Sequence, residues 1–146
     1  PAVVCPERLA VCTRRIIPQL RTVALAQEWT PNQLTAWQES DYEICPVIKA
    51  LKAGRKPSQE IMSNWPKVTK RLMEDWERLE LRGGVLYRQW FNKRGRIVRY
   101  QLVTPTQIRA QVLSVAHEGA ISGHFAVKRT IAKVREYFYW LLFENS

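Results

Sequence analysis

Apolar residues return at three- and four-residue intervals in several stretches of this chain, and each such stretch predicts a helix with one buried face. In the strongest, Val68, Leu72, Trp76 and Leu79 form a single stripe. Pro66 suits the first helical position there, and Gly83-Gly84 suits the end. Charged pairs at i, i+4, such as Lys70 with Glu74 and Arg71 with Asp75, mark the solvated side. Ile108, Val112 and Val115 predict a second stripe, running up to His117. Val127, Ile131, Val134 and Phe138 predict a third, with Lys128, Arg129, Lys133 and Arg135 around the rest of that helix. Shorter helices are expected from Pro31 to near Ser40, from Cys45 to Ala53, and from about Pro18 to Gln27.

The ends of these helices carry their own chemistry. Thr30-Pro31-Asn32-Gln33 and Thr104-Pro105-Thr106-Gln107 each offer a hydroxyl cap, a proline at the first position and an amide that can reach back to the cap. Gly54 is placed to stop a helix, and Ser58 to start the next turn. Two β-branched and aromatic runs, 84–90 and 97–103, flank Phe91-Asn92-Lys93-Arg94-Gly95-Arg96, which reads as a β-hairpin with a basic tip. The expected fold is therefore mainly α with about six helices. A helical N-terminal extension, 1–82, precedes a unit, 83–146, made of a two-stranded antiparallel hairpin and two further amphipathic helices.

Composition adds bounds. With 46% hydrophobic and 25% charged residues, the chain is globular in character. No apolar run reaches the ~20 residues that span a bilayer. No signal-peptide pattern opens the sequence, so an intracellular setting without a membrane partner is expected. Cys5, Cys12 and Cys45 are odd in number and lack Cys-x-x-Cys spacing, which argues against a disulfide framework. The net charge is +10, and residues 83–146 carry ten basic side chains against three acidic ones. A positive field concentrated there suits a polyanion, DNA first and RNA second.

An ordered series of residues carries a resemblance. Gly84-Val85-Leu86-Tyr87-Arg88, Gln101-Leu102-Val103-Thr104-Pro105, Arg109, Val112-Leu113, His117, Gly123-His124-Phe125, Lys128-Arg129-Thr130 and Phe138-Tyr139-Trp140 together resemble the N-terminal region of integrases from gypsy-type retrotransposons. The likeness extends upstream through Gly54-Arg55-Lys56-Pro57 and Arg71-Leu72 to about Trp29. In that family a Cys-x-x-Cys pair follows and completes a His-His-Cys-Cys zinc-binding domain; this sequence lacks the pair. The resemblance thus implies zinc in full-length relatives, with His117 and His124 as half of an incomplete site. For this chain no cofactor is expected.

Catalysis in such integrases uses three carboxylates holding two Mg²⁺ ions, in a core that follows the zinc domain. The sequence is expected to stop before that core, and no enzymatic activity or small-molecule substrate is expected of it. What the resemblance implies is a nuclear, DNA-binding assembly module of a transposable element. Phosphate contacts would come from Arg94, Arg96, Arg99, Lys128, Arg129, Lys133 and Arg135. The alternative is a domesticated or truncated integrase relic, in which the aromatic stretch from Tyr137 to Phe143 docks a partner protein or a second copy as a homodimer.

Overall fold

The computed structural model describes residues 29–118, 132 and 134–140, with backbone only at Val98 and residues 115–118. Four helices come first: α1 (Pro31–Ser40), α2 (Cys45–Ala53), α3 (Gln59–Met62) and α4 (Lys67–Glu74). A short 3₁₀ turn, Trp76–Arg78, leads into β1 (Leu79–Arg82), β2 (Val85–Phe91) and β3 (Ile97–Val103). Helix α5 (Thr106–Glu118) follows, and β4 (Phe138–Tyr139) is the last described element. The helices proposed for residues 18–27 and 126–138 fall mostly outside the described residues.

Several local signals act as expected. Thr30 accepts from the Gln33 amide at 3.2 Å while Gln33 Oε1 accepts from the Thr30 N–H at 3.0 Å, a complete capping box. Gly54 ends α2 in a left-handed conformation, and Ser58 accepts from the Ile61 N–H. At the tip of the β2–β3 hairpin Gly95 has φ of 76°, and Asn92 Oδ1 accepts from the N–H groups of Arg94 and Arg96.

The expectation of a mainly α fold with one two-stranded hairpin is corrected. The four strands form one mixed sheet in the order β1-β2-β3-β4, antiparallel except for the parallel β3–β4 pair. Two events produce it. The helix carrying Val68 and Leu72 ends at Glu74, and Leu79 lies in a strand opposite Arg88. Gly83 and Gly84 then have φ of 56° and 83°. Two successive positive φ values make the tight hairpin turn whose twist matches the strands it joins, so the glycine pair joins β1 to β2. At the other edge Phe138, expected on a helix, pairs with Leu102 in the sheet. The Leu102 N–H donates to the Tyr137 carbonyl at 2.8 Å and the Thr104 N–H to the Tyr139 carbonyl at 2.9 Å.

Thr104 therefore belongs to the sheet end and does not cap α5. Asp41 caps that helix from a distance: its Oδ2 accepts from both the N–H and the hydroxyl of Thr106, at 2.9 Å each. A carboxylate at a helix N-terminus also meets the positive end of the helix dipole.

Alternation along the strands gives the sheet two faces, and helices cover both. On one face Val85, Tyr87, Tyr100, Leu102 and Phe138 pack with Leu34 of α1, Ile108 and Val112 of α5, Val134 and Trp140. On the other Leu79, Leu86, Val103 and Tyr139 pack with Ile44, Val47 and Ile48 of the α2 region, Met62, and Leu72 and Met73 of α4. Each core joins residues before and after Arg82.

Gln38 ties the layers together. It is fully buried, and its Nε2 donates to the carbonyls of Leu86 (3.1 Å) and Val103 (2.7 Å) while Oε1 accepts from the Leu86 N–H at 2.8 Å. Gln38→Leu removes all three bonds and leaves buried peptide groups unpaired, so urea unfolding should show a loss of about 3 kcal/mol or more. Thr30→Ala, which removes only an exposed cap, should cost about 1 kcal/mol. Equal costs for the two would contradict the role given to Gln38.

Burial pushes the Tyr87 hydroxyl up to about 12, partly offset by the nearby Arg82 guanidinium. That hydroxyl has no hydrogen-bond partner among the described residues. The unfolded chain ionises at about 10, below the folded value, so this group's stabilisation is whole below that pH and falls as pH rises through the window from 10 to 12. Tyr87→Phe should reduce the stability lost between about pH 8 and about pH 11, and should leave neutral stability equal or higher. Urea melts at the two pH values measure it; an unchanged alkaline loss would refute it.

Candidate nucleic-acid interface

The residues expected to contact phosphate lie in three settings. Arg94 and Arg96 stand exposed on the hairpin tip, on a turn where their N–H groups donate to Asn92 Oδ1. Arg99 is committed within the fold: its guanidinium reaches the Glu136 carboxylate at 3.2 Å, donates to the Tyr137 hydroxyl and lies 4.9 Å from the centroid of the Tyr137 ring. Arg135 is half-buried beside β3, where its backbone carbonyl accepts from Gln101 Nε2 at 2.7 Å. Lys128, Arg129 and Lys133 lie outside the described residues, as do His124 and the side chain of His117.

The sheet builds a feature that linear reading missed. Arg88, Trp90 and Gln101 occupy one face of β2 and β3, beyond the part that α2 to α4 cover. With Arg78, Arg135 and Trp140 they line a groove of about 390 Å³. Arg88 forms its floor. Its Nε meets Asp75 Oδ2 at 3.0 Å, its Nη1 donates to Gln101 Oε1 at 3.1 Å, and its guanidinium lies 4.3 Å from the centroid of the Tyr139 ring.

Both members of the Arg88–Asp75 pair are largely buried, with side-chain exposures of 14% and 13%. Paired and hydrogen-bonded, they satisfy the condition for holding charge out of water. Arg78 at the rim is exposed and lies 5.8 Å from the centroid of the Phe91 ring. Trp90 keeps 43% of its surface accessible. The signal in the sequence was period-two spacing, with Arg88 and Trp90 two residues apart on a strand; Arg78 and Arg135 reach the same place only through the fold.

A second concavity, of about 420 Å³, lies between α3 and α4 and is lined by Lys56, Lys70, Glu74 and two methionines, with no aromatic ring. Among the described residues no group of three or more His, Cys, Asp or Glu is arranged to hold a metal ion. No described helix is long and apolar enough to cross a membrane.

Residues 104–143 match the family described as the integrase zinc binding domain. Neither the curated proteins nor the solved structures contain a match. The match supports the integrase N-terminal reading for this segment, 40 of the chain's 146 residues. It begins at Thr104, where β3 ends, and takes in α5, the two histidines and β4.

Proposed function

We propose that this chain is the DNA-binding and assembly region of a gypsy-type retrotransposon integrase, acting in the nucleus and without catalysis of its own. The observation that carries this reading is the match of residues 104–143 to the integrase zinc-binding family. The excess of basic residues after position 82 supports it, as do Arg94 and Arg96 on an exposed hairpin tip. Lys128, Arg129 and Lys133 add further basic residues in the sequence. Such contacts hold phosphate and set the position of a duplex, and they specify little sequence. A docking role for the aromatic stretch draws less support, because Phe138, Tyr139 and Trp140 are buried within the chain's own fold.

Duplex affinity should fall linearly in log–log form as salt rises, with a slope lowered by ~0.9 for each phosphate contact removed. Replacing Arg94 and Arg96, or Lys128, Arg129 and Lys133, by Ala should flatten that slope. Replacing Lys49 and Lys52 on α2 should change it little. Equal effects from all three sets would show a diffuse charge effect and no interface.

For the metal, His117 and His124 are the residues that would hold zinc, and zinc would cross-link the segment that carries them. A closed structural site wants four ligands, and every cysteine of this sequence precedes the matched segment. Purified chain should therefore carry well below one zinc per molecule, and His124→Ala should leave its helical circular dichroism unchanged. One tightly held zinc per chain, lost together with structure in that variant, would overturn this reading and point to Cys5 and Cys12 or a second chain as the missing ligands.

A further inference from the structure

We infer that the groove floored by Arg88 and Gln101 takes an unpaired nucleotide from the end of a DNA strand, with its base against Trp90 and its phosphate at Arg78. The inference rests on the DNA-binding reading above and names the form of DNA this face receives. Its volume, about 390 Å³, lies in the range of pockets for small ligands (roughly 300–1,000 Å³) and is a scale for one nucleotide. Inside a duplex both faces of each base are covered by stacking, and at a blunt end the one free face belongs to a base still held by its pair. An unpaired base brings a free π face, and every base has one.

Charge and rigidity favour the same occupant. Three guanidinium groups, from Arg78, Arg88 and Arg135, line the groove, and Asp75 pairs with Arg88. Arg78 is paired with no carboxylate among the described residues and stands exposed at the rim, where a phosphate of a strand running past would lie. The floor is already built: Asp75 fixes Arg88, Arg88 fixes the Gln101 amide, and Gln101 holds the backbone at Arg135. A site whose polar groups are held before binding loses less freedom when a ligand arrives. The concavity between α3 and α4 has comparable volume and two lysines but no ring, which makes it an internal control.

The test measures the affinity of the full chain for one duplex in four forms: blunt, with a short unpaired thymidine tail, with the same tail abasic, and with a ribonucleotide tail. At fixed salt the thymidine tail should bind about tenfold more tightly than the blunt end, within what stacking on one aromatic ring supplies. The abasic tail should lose that gain. Trp90→Ala should bring the tailed duplex to the blunt value with blunt affinity unchanged, and Trp90→Phe should retain most of the gain. Arg78→Gln should reduce the gain, while Lys56→Gln with Lys70→Gln should not. Thermal melting of Trp90→Ala close to that of the parent establishes that the fold is kept.

Equal affinity for blunt and tailed ends, an abasic tail as good as the thymidine tail, or equal loss on both ends in Trp90→Ala would overturn the inference. A larger gain from the ribonucleotide tail would overturn its assignment to DNA. Blunt binding without a gain from the tail removes this inference alone; absence of binding to every form removes the DNA-binding reading as well.

Discussion

The buried amide of Gln38 is the contact on which the arrangement of layers depends. Beyond the Tyr87–Leu102 pair, β2 and β3 no longer bond to each other, and the peptide groups of Leu86 and Val103 would face a helix with nothing to meet them. A primary amide carries a donor and an acceptor in one plane, as a peptide does, so Gln38 fills the gap as an extra rung. Helix α1 is thereby fixed over the sheet. Its Thr35 closes on the β1–β2 turn so tightly that a Cβ on Gly84 would come within 3.2 Å of its hydroxyl oxygen.

Once α1 is fixed, Asp41 just beyond its end is fixed too, and it supplies the cap that starts α5. Glu43, two residues on, meets the Arg109 guanidinium of α5 at 3.4 Å. The segment matched to the integrase family thus starts from a point that the preceding helices hold in place. Residues that precede the matched segment determine where its first helix begins, and a chain lacking them would leave the N-terminus of α5 without its carboxylate.

Covering a small sheet with helices on both faces leaves limited room, and helices α2 to α4 stop short of the Arg88–Trp90 end of β2. The exposed remainder is where charged and aromatic groups gather into a groove. The arginines divide between the fold, where Asp75 and Glu136 hold two of them, and the surface. Arg88 and Arg99 act mainly within the fold, while Arg78, Arg94 and Arg96 remain at the surface. Basic composition alone could not make that division, since it depends on which guanidinium finds a carboxylate.

The sequence by itself determined the features that neighbours in the chain decide. The capping box at Thr30, the stop at Gly54, the β2–β3 hairpin with its turn at Gly95, and the burial of Ile108 and Val112 all rest on contacts a few residues apart or on helical periodicity. Phe138, Tyr139 and Trp140 were legible as apolar but not as the edge of a sheet, because a two-residue strand has no period to read. The stripe Val68–Leu72–Trp76–Leu79 misled, since the same spacing continued past the true helix end at Glu74, and Gly83-Gly84 suits either a helix stop or a tight hairpin turn. Only tertiary structure decided between them, by giving Leu79 to Arg82 a partner strand in β2. It likewise moved the cap of α5 from Thr104 to Asp41, set Gln38 between β2 and β3 at residues 48 and 65 positions away, and brought Arg78, Arg88 and Arg135 to one groove. The Asp41 cap and the Gln38 bridge are pairings of polar groups distant in sequence, and their energy exists only after burial removes the water that would otherwise satisfy them.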